Sequence, residues 1–150
     1  MLLFIYCEWL DSELVKAHLP NAEFKAKATL DDSEVAFSFF REDASDELMQ
    51  GGCHIEKKRG NILYGVLYEI SAEDLSSLDK MTRVKEGRYE KRYLNVSGQD
   101  GKKYEAVAHV IKTPKGKCYP TTEYLEHMIK GAKEHNFPKA YVASLEKYRA

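Results

Sequence analysis

Short apolar runs separated by polar turns dominate the first half of the chain. Residues 2–6 and 53–55 are brief apolar runs, and residues 22–30 and 35–40 are rich in strand-forming side chains. Residues 61–70 (NILYGVLYEI) carry apolar side chains at both alternating sets of positions. Runs of this kind indicate strands, and apolar residues on both faces indicate a central strand. We therefore predict strands at all of these runs, with residues 61–70 inside a sheet.

Two helix-start signals follow predicted strands. Asp11 precedes apolar positions at helical spacing, and we expect that helix to end at Pro20. Ser71 is a second N-cap candidate, with Asp74 at the capping-box position and apolar residues at helical spacing up to Met81. Short polar side chains at the N-cap accept hydrogen bonds from the first free N–H groups of a helix. The pattern predicts two short helices.

The second half of the chain predicts a hairpin and two helices. Residues 89–96 and 103–111 are strand-like and are joined by Gly-Gln-Asp-Gly, a turn sequence. Residues 122–133 and 139–148 have helical patterns and are separated by an Asn-Phe-Pro breaker. An acidic stretch, residues 41–52, is predicted to be a loop. These elements predict an α+β fold: a small, twisted, mostly antiparallel sheet or barrel with flanking helices.

Composition and charge narrow the class of protein. The chain has 150 residues, of which 43% are hydrophobic and 31% charged, with a formal net charge of −1. These values predict one folded domain over residues 1–150. Basic and acidic residues are mixed, so we expect neither nucleic acid nor a membrane surface as a partner. No apolar run approaches the length of a membrane span, and the protein is expected to be soluble.

The cysteines and histidines predict no metal or disulfide. Cys7, Cys53 and Cys118 are widely spaced and odd in number, so neither a disulfide framework nor a zinc site follows from them. The five histidines form no i, i+4 pair, so we do not expect metal catalysis. A reducing, cytoplasmic location is predicted on this basis.

Three segments resemble one family when they are taken in order. LFIYCEWL stands where that family has an apolar strand ending in a Tyr-Gly-Ser-Asn-Leu loop, and it retains Tyr6 and Leu10. LYGVLYEI and SSLDKMTRVKEGRYEKRYLNV are similar to the family's central strand and to a short helix ending Leu-Asp-x-x-Glu-Gly. PTTEYLEHMIKGAKEHNFPKAYVASLEKY is similar to its closing helices. The chain thus resembles the γ-glutamylcyclotransferase-like proteins, which include the AIG2-like group.

The resemblance implies a cofactor-free acyl transfer. A γ-glutamyl amine or amino acid would cyclise on itself and release 5-oxoproline and an amine. Because the substrate's own α-amine is the nucleophile, the protein would fold the substrate, move a proton and stabilise an oxyanion. The expected partner is a small-molecule ligand, no cofactor or metal is expected, and a homodimer is left open.

The chain departs from the family at two places. The family's general base, the glutamate of Leu-Asp-x-x-Glu, falls on Thr82, whose hydroxyl cannot accept a proton from an ammonium near neutral pH. The Gly-Ser-Asn loop, which the resemblance implies presents backbone N–H groups to substrate oxygens, is replaced by Cys7, Glu8 and Trp9. These side chains would narrow the loop's pocket and make it electronegative.

Two carboxylates are the candidate catalytic residues: Glu8 in the altered loop, and Glu86 shortly after the lost glutamate. The candidate substrate-binding residues are Tyr6, Cys7, Trp9, Leu10, Thr82 and Tyr89. We predict that one cavity is surrounded by the loop at residues 7–9, by residues 82–87 and by Tyr89. Each candidate has a structural alternative: a solvated charge for Glu8 or Glu86, an inert buried thiol for Cys7, a packing anchor for Trp9, and burial with a bonded hydroxyl for Tyr89.

Two classes of function stay open from the sequence. One is an enzyme that uses Glu8 or Glu86 in place of the missing glutamate. The other is a non-catalytic module that binds a small cationic or neutral metabolite in the same cavity. For Glu8 we predict a raised pKa, because partial burial disfavours the carboxylate and the sequence indicates no fixed cationic partner.

Overall fold

Five strands and the helices around them are described by a computed structural model covering residues 1–40 and 51–150. The strands are β1 (Leu2–Ile5), β2 (Glu23–Phe39), β3 (Gly51–Glu69), β4 (Tyr89–Gly98) and β5 (Lys103–Ile111). The helices are α1 (Ser12–His18), α2 (Ala72–Met81), α3 (Thr122–Glu134) and α4 (Lys139–Ser144), with 3₁₀ turns at Glu8–Leu10 and Leu145–Tyr148. The predicted α+β class is confirmed.

The strands form a closed barrel in the order β1-β3-β2-β4-β5. Neighbouring strands are antiparallel except where β1 meets β5, which is a parallel contact with Leu3 opposite Val107. A parallel pair needs a long crossover between its strands, and here most of the chain lies between them. The prediction of a mostly antiparallel barrel is confirmed.

Strands β2 and β3 are longer than the sequence pattern predicts. Residues 22–30 and 35–40 belong to one strand, as do residues 53–55 and 61–70. The β2–β3 pairing shifts register between Asp31 and Ser33, where Asp32 has a φ of 52° and accepts a hydrogen bond from the N–H of Gly60 at 2.9 Å. The pairing resumes on both sides of this irregularity, so neither strand ends there. The prediction of separate strands is therefore wrong.

The predicted loop at residues 41–52 is tested only at its end. Gly51 and Gly52 pair with Phe39 and Ser38 as the first residues of β3, so the loop prediction is wrong for these two positions. Residues 41–50 lie outside the described residues.

Both predicted N-caps are present. The Asp11 carboxylate accepts a hydrogen bond from the Glu13 N–H at 3.1 Å at the start of α1, and Ser71 and Asp74 form a capping box at the start of α2. The predicted helix at residues 139–148 is the short α4 followed by a 3₁₀ turn. Within residues 1–40 and 51–150, no helix combines the length and apolar character that a membrane span requires.

Part of the core lies along β3, the strand that pairs with β1. Leu63, Val66 and Leu67 of β3 are at most 1% exposed. The glycine among them, Gly65, has no space for a side chain, because a Cβ there would lie 2.5 Å from the carbonyl oxygen of Ile5. Glycine here leaves room for the β1 backbone and the Phe4 ring beside β3.

Candidate active site

A cavity of about 210 Å³ lies where β1 ends. The end of β1, the following loop, α2, β4, β5 and α3 all contribute to its walls. Six of the predicted site residues line it: Tyr6, Cys7, Glu8, Trp9, Thr82 and Tyr89. Leu10 is fully buried behind the loop, and Glu86 is exposed on the segment that follows α2. The altered loop and the position of the lost glutamate therefore share one cavity, whereas Glu86 lies outside it.

A disulfide bond anchors the loop. Cys7 is joined to Cys53 of β3, with a Cα–Cα distance of 6.8 Å, and Cys118 is a free, buried thiol. The prediction that no disulfide follows, and the alternative of an inert Cys7 thiol, are both wrong. The partners are 46 residues apart and meet only when the barrel closes, so their spacing gives no signal. The pairing also removes the argument from unpaired cysteines for a reducing compartment.

Glu8 has the raised pKa that its position predicts. Burial raises the pKa of this half-buried carboxylate, and the nearby His127 and His18 only partly oppose the shift. The direction is confirmed, but the expectation that no cationic group faces Glu8 is wrong. The imidazole of His127 on α3 lies 2.8 Å, Nδ1 to Oδ2, from the carboxylate of Asp11, which is 1% exposed. The Asp11–His127 pair therefore lies close enough to Glu8 to affect its pKa.

The Asp11 carboxylate is ionised despite its burial. Burial raises its pKa, but hydrogen bonds from His127, from the Glu13 N–H and from Lys130 outweigh this effect, and the pKa lies below its ordinary value. An ionised carboxylate only accepts hydrogen bonds, so Nδ1 of His127 carries the proton in this contact. The second ring nitrogen, Nε2, lies 4.0 Å from the Glu123 carboxylate. Asp11, His127 and Glu123 thus form a polar cluster that reaches the outer surface of α3 and acts on the charge of Glu8.

The two residues after Glu8 pack rather than present polar groups. The Trp9 ring stacks on His18 of α1, with centroids 5.1 Å apart and planes 5° from parallel. The carbonyl of Leu10 accepts a hydrogen bond from His135 at 3.0 Å. Gly131 of α3 has no room for a side chain, since a Cβ there would lie 2.1 Å from the Leu10 carbonyl carbon. Close packing against α1 and α3 thus holds the loop in place.

Thr82 ends α2 and is bonded to its own helix. Its hydroxyl donates a hydrogen bond to the Leu78 carbonyl at 2.7 Å, a common arrangement for a hydroxyl near a helix end. The next residue, Arg83, has a φ of 55°, where the family motif described above has a glycine. Glycine adopts this left-handed conformation without strain, so Arg83 has a backbone conformation that suits the motif's glycine.

Three tyrosines supply hydroxyl groups around the cavity. Burial raises the pKa values of Tyr6, Tyr89 and Tyr124, so all three stay protonated. Tyr6 donates to the carbonyl of His109 at 2.7 Å, and Tyr124 points at Sγ of Cys53 at 3.3 Å. The Tyr89 hydroxyl lies over Gly52, where a Cβ would be 1.9 Å away. Gly52 therefore gives this hydroxyl its space.

Tyr124 and His109 also line the cavity, and neither was predicted from the sequence. They lie on α3 and β5, far along the chain from the loop and α2, and neither belongs to a local motif. Only the alternation of side chains along residues 103–111 could have placed His109 on one face of its strand. Among the described residues, no group of three or more His, Cys, Asp or Glu side chains could hold a metal ion.

Comparison with known proteins gives the family. The family model described as "AIG2-like family" matches residues 62–145. The chain belongs to this γ-glutamylcyclotransferase-like, AIG2-like family. The γ-glutamylcyclotransferase of Bos taurus is 30% identical over 144 residues, covering 96% of this chain and 76% of the relative. That of Mus musculus is 28% identical over 145 residues, covering 97% and 77%.

Solved structures agree with this fold. A structure titled γ-glutamyl cyclotransferase superposes with a TM-score of 0.89 at 27% identity, covering 99% of this chain and 88% of its own. YkqA from Bacillus subtilis superposes with a TM-score of 0.78 at 20% identity, covering 98% of this chain and 53% of its own. The barrel of this AIG2-like protein is thus the γ-glutamylcyclotransferase fold.

Proposed function

We propose that this AIG2-like protein is a γ-glutamylcyclotransferase that converts a γ-glutamyl amine or γ-glutamyl amino acid to 5-oxoproline and the free amine. The observation that carries the proposal is the half-buried carboxylate of Glu8 in the cavity wall, with its raised pKa. The match to γ-glutamylcyclotransferases over nearly the whole chain supports the reaction class.

In this proposal Glu8 takes the role of the missing glutamate. A γ-glutamyl compound carries its α-amine as an ammonium, which must lose a proton before the nitrogen can attack the γ-carbonyl carbon. A carboxylate whose pKa is raised towards neutrality is a better proton acceptor than an ordinary surface glutamate. Glu8 has this property and Glu86 is exposed, so of the two candidates we choose Glu8.

The hydroxyl of Tyr89 is our candidate donor to the oxyanion that forms when the nitrogen attacks. It lines the cavity, and burial raises its pKa, so it keeps its proton. A fixed donor aimed at developing charge stabilises the transition state more than the ground state. The rings of Tyr6 and Trp9 would pack against the substrate, and the disulfide would hold the loop at a constant distance from β3.

A second function, binding without turnover, is favoured by one observation. The hydroxyl at the glutamate position donates to the Leu78 carbonyl, so Thr82 is held by its own helix. A protein that had lost catalysis could keep such a cavity for a small cationic or neutral metabolite. The acidic Glu8 would then serve as the counter-ion of the ligand.

One experiment separates these functions. The protein is incubated with a panel of γ-glutamyl amines and γ-glutamyl dipeptides, and 5-oxoproline is measured by mass spectrometry. The matched α-glutamyl dipeptides are the control, because they cannot release an amine through attack on the γ-carbonyl. Turnover confined to γ-glutamyl compounds supports the enzyme. Saturable binding in calorimetry without any 5-oxoproline would instead support the binding module. A single domain, a cytoplasmic location and a homodimer stay predictions.

A further inference from the structure

A histidine on β5 is paired with an aspartate on α2 at the wall of the cavity. Nε2 of His109 lies 2.9 Å from Oδ1 of Asp79, and Nζ of Lys91 lies 2.8 Å from Oδ2 of the same carboxylate. Lys91 and His109 are directly opposite each other in the β4–β5 register. The lysine thus holds one carboxylate oxygen while the other is left for the imidazole.

The charge of Asp79 fixes the tautomer of the imidazole. Burial raises the pKa of Asp79, but the hydrogen bonds from Lys91 and His109 outweigh this effect and leave the pKa below its ordinary value. The ionised carboxylate has no proton to donate. Nε2 of His109 therefore carries the hydrogen, and Nδ1 keeps its lone pair. Carboxylates orient histidines in this way in known proton-transfer sites.

The environment of His109 favours its neutral form. Its side chain is 9% exposed. Burial lowers the pKa of His109, with a further small contribution from Lys91, and the Asp79 carboxylate opposes the shift only in part. These are the charged groups that face the ring. A neutral imidazole near physiological pH can accept a proton.

The pair also lies beside the position that has lost its carboxylate. Asp79 is three residues before Thr82 on α2, a spacing that places two side chains on neighbouring positions of one helix face. Thr82 and His109 both line the cavity. A titratable group supported by Asp79 is therefore present on the side of the cavity where the glutamate is missing.

We propose that His109 is a second catalytic residue of this cavity, which accepts a proton from the attacking nitrogen through Nδ1 and delivers it to the departing nitrogen, with Asp79 as its positioning residue. This inference rests on the proposed function. In that reaction, a bond forms between the α-nitrogen and the γ-carbonyl carbon, and the bond from that carbon to the departing nitrogen breaks.

The reaction removes two protons from the α-nitrogen, and the proposal gives each proton its own acceptor. The α-nitrogen begins as an ammonium with three hydrogens and ends as a lactam nitrogen with one. Glu8 takes the first proton before attack and later releases it to water. His109 takes the second proton from the tetrahedral intermediate and gives it to the departing nitrogen, which leaves as a neutral amine. Both side chains then return to their starting states.

The test compares His109→Gln and Asp79→Asn with the parent in steady-state kinetics on the γ-glutamyl compound turned over fastest. We expect His109→Gln to lower kcat by about 100-fold or more, with KM changed less than about threefold. Asp79→Asn removes the charge that favours imidazolium, so the acid limb of its pH–kcat/KM profile should move to lower pH. His54→Gln is the matched control, a buried histidine outside this cavity, and should match the parent.

Nitrogen NMR of the imidazole supplies a readout that does not depend on turnover. We expect His109 in the parent to be the Nε2–H tautomer with an unprotonated Nδ1 at pH 7. An Nδ1–H tautomer or a charged ring at that pH would overturn the role. So would parent-like kcat in His109→Gln, or an acid limb unmoved in Asp79→Asn. A parent that turns over no γ-glutamyl compound refutes the proposed function, and the catalytic role of His109 with it, even if the tautomer is as expected.

Discussion

The hydroxyl of Tyr6 donates a 2.7 Å hydrogen bond to the backbone carbonyl of His109. Strand β1 otherwise meets β5 in a short parallel contact at Leu3 and Val107. The Tyr6 hydrogen bond therefore adds a second contact to the short β1–β5 pairing, next to the cavity. Because its hydroxyl is engaged with the backbone, the part of Tyr6 available to a ligand is the face of its ring.

Glu8→Gln is expected to lower kcat/KM for γ-glutamyl compounds by about 100-fold or more, because the amide cannot accept a proton. The fold should be retained, since Gln matches Glu in shape. Circular dichroism and the rate of 5-oxoproline release check both statements. A variant with parent-like turnover would exclude Glu8 as the base.

The same variant tests the pKa of Glu8 through stability. The folded-state pKa is raised above the ordinary 4.5, so between the two values the folded protein binds more protons than the unfolded chain. The free energy of unfolding of the parent, relative to Glu8→Gln, should therefore fall as pH rises from about 4.5 through the raised pKa. Urea titrations across this range measure the difference. A difference that is constant with pH would contradict the shift.

Thr82→Glu alone should leave the cyclotransferase rate within about threefold of the parent. The restored carboxylate would share the cavity with Glu8, and two nearby carboxylates oppose each other's ionisation. The loop at residues 7–9, which the family resemblance implies receives substrate oxygens, would also remain altered. Thr82→Ser, which keeps the hydroxyl, is the control. A large gain in rate for the glutamate variant would show that the cavity had only lacked this one group.

Removal of the Cys7–Cys53 disulfide should be strongly destabilising. The bond joins residues 46 apart, and the loop-entropy model gives about 4 kcal/mol for a loop of that length. We expect a Cys7→Ala, Cys53→Ala double variant to lose a comparable free energy of unfolding in urea. Cys118→Ala, which alters a buried but unpaired thiol, is the control and should cost far less. Equal losses in the two proteins would refute a structural role for the bond.

Gly131→Ala should destabilise the protein, although alanine is the better helix former by about 1 kcal/mol. The added methyl group would lie 2.1 Å from the Leu10 carbonyl carbon, and backbone cannot move aside as a side chain can. Overpacking of this kind costs roughly 1–3 kcal/mol. Lys133→Ala at an exposed position of the same helix should be nearly neutral. Thermal unfolding distinguishes the two, and a Gly131→Ala protein at least as stable as Lys133→Ala would contradict the packing.

Local signals in the sequence predicted the local structure well. The caps at Asp11 and Ser71 and the apolar run at residues 61–70 depend on neighbours a few positions away, and the structure confirms them. The break predicted within β2 was wrong at Asp32, because a polar residue at a strand irregularity has the same sequence pattern as a polar residue in a loop. The family resemblance correctly supplied the overall fold.

Contacts that depend on barrel closure were not predictable. The bond between Cys7 and Cys53, the approach of His127 to Glu8 and the position of His109 beside Asp79 all join distant parts of the chain. None of these residues belongs to a local sequence motif that would indicate its partner. The sequence thus indicated which loop forms the cavity but not which groups face it from the opposite walls.

The contact between Gly131 and Leu10 has a consequence for biosynthesis. The loop that carries Glu8 leaves the ribosome before α3, since chains emerge from their N-terminus. The helix against which this loop packs, α3 (Thr122–Glu134), is translated after all five strands. A nascent chain that ends before α3 therefore lacks one wall of the cavity and the support of its acidic loop. Termination of translation between residues 112 and 121 would yield a product with all five strands but without the α3 wall of the pocket.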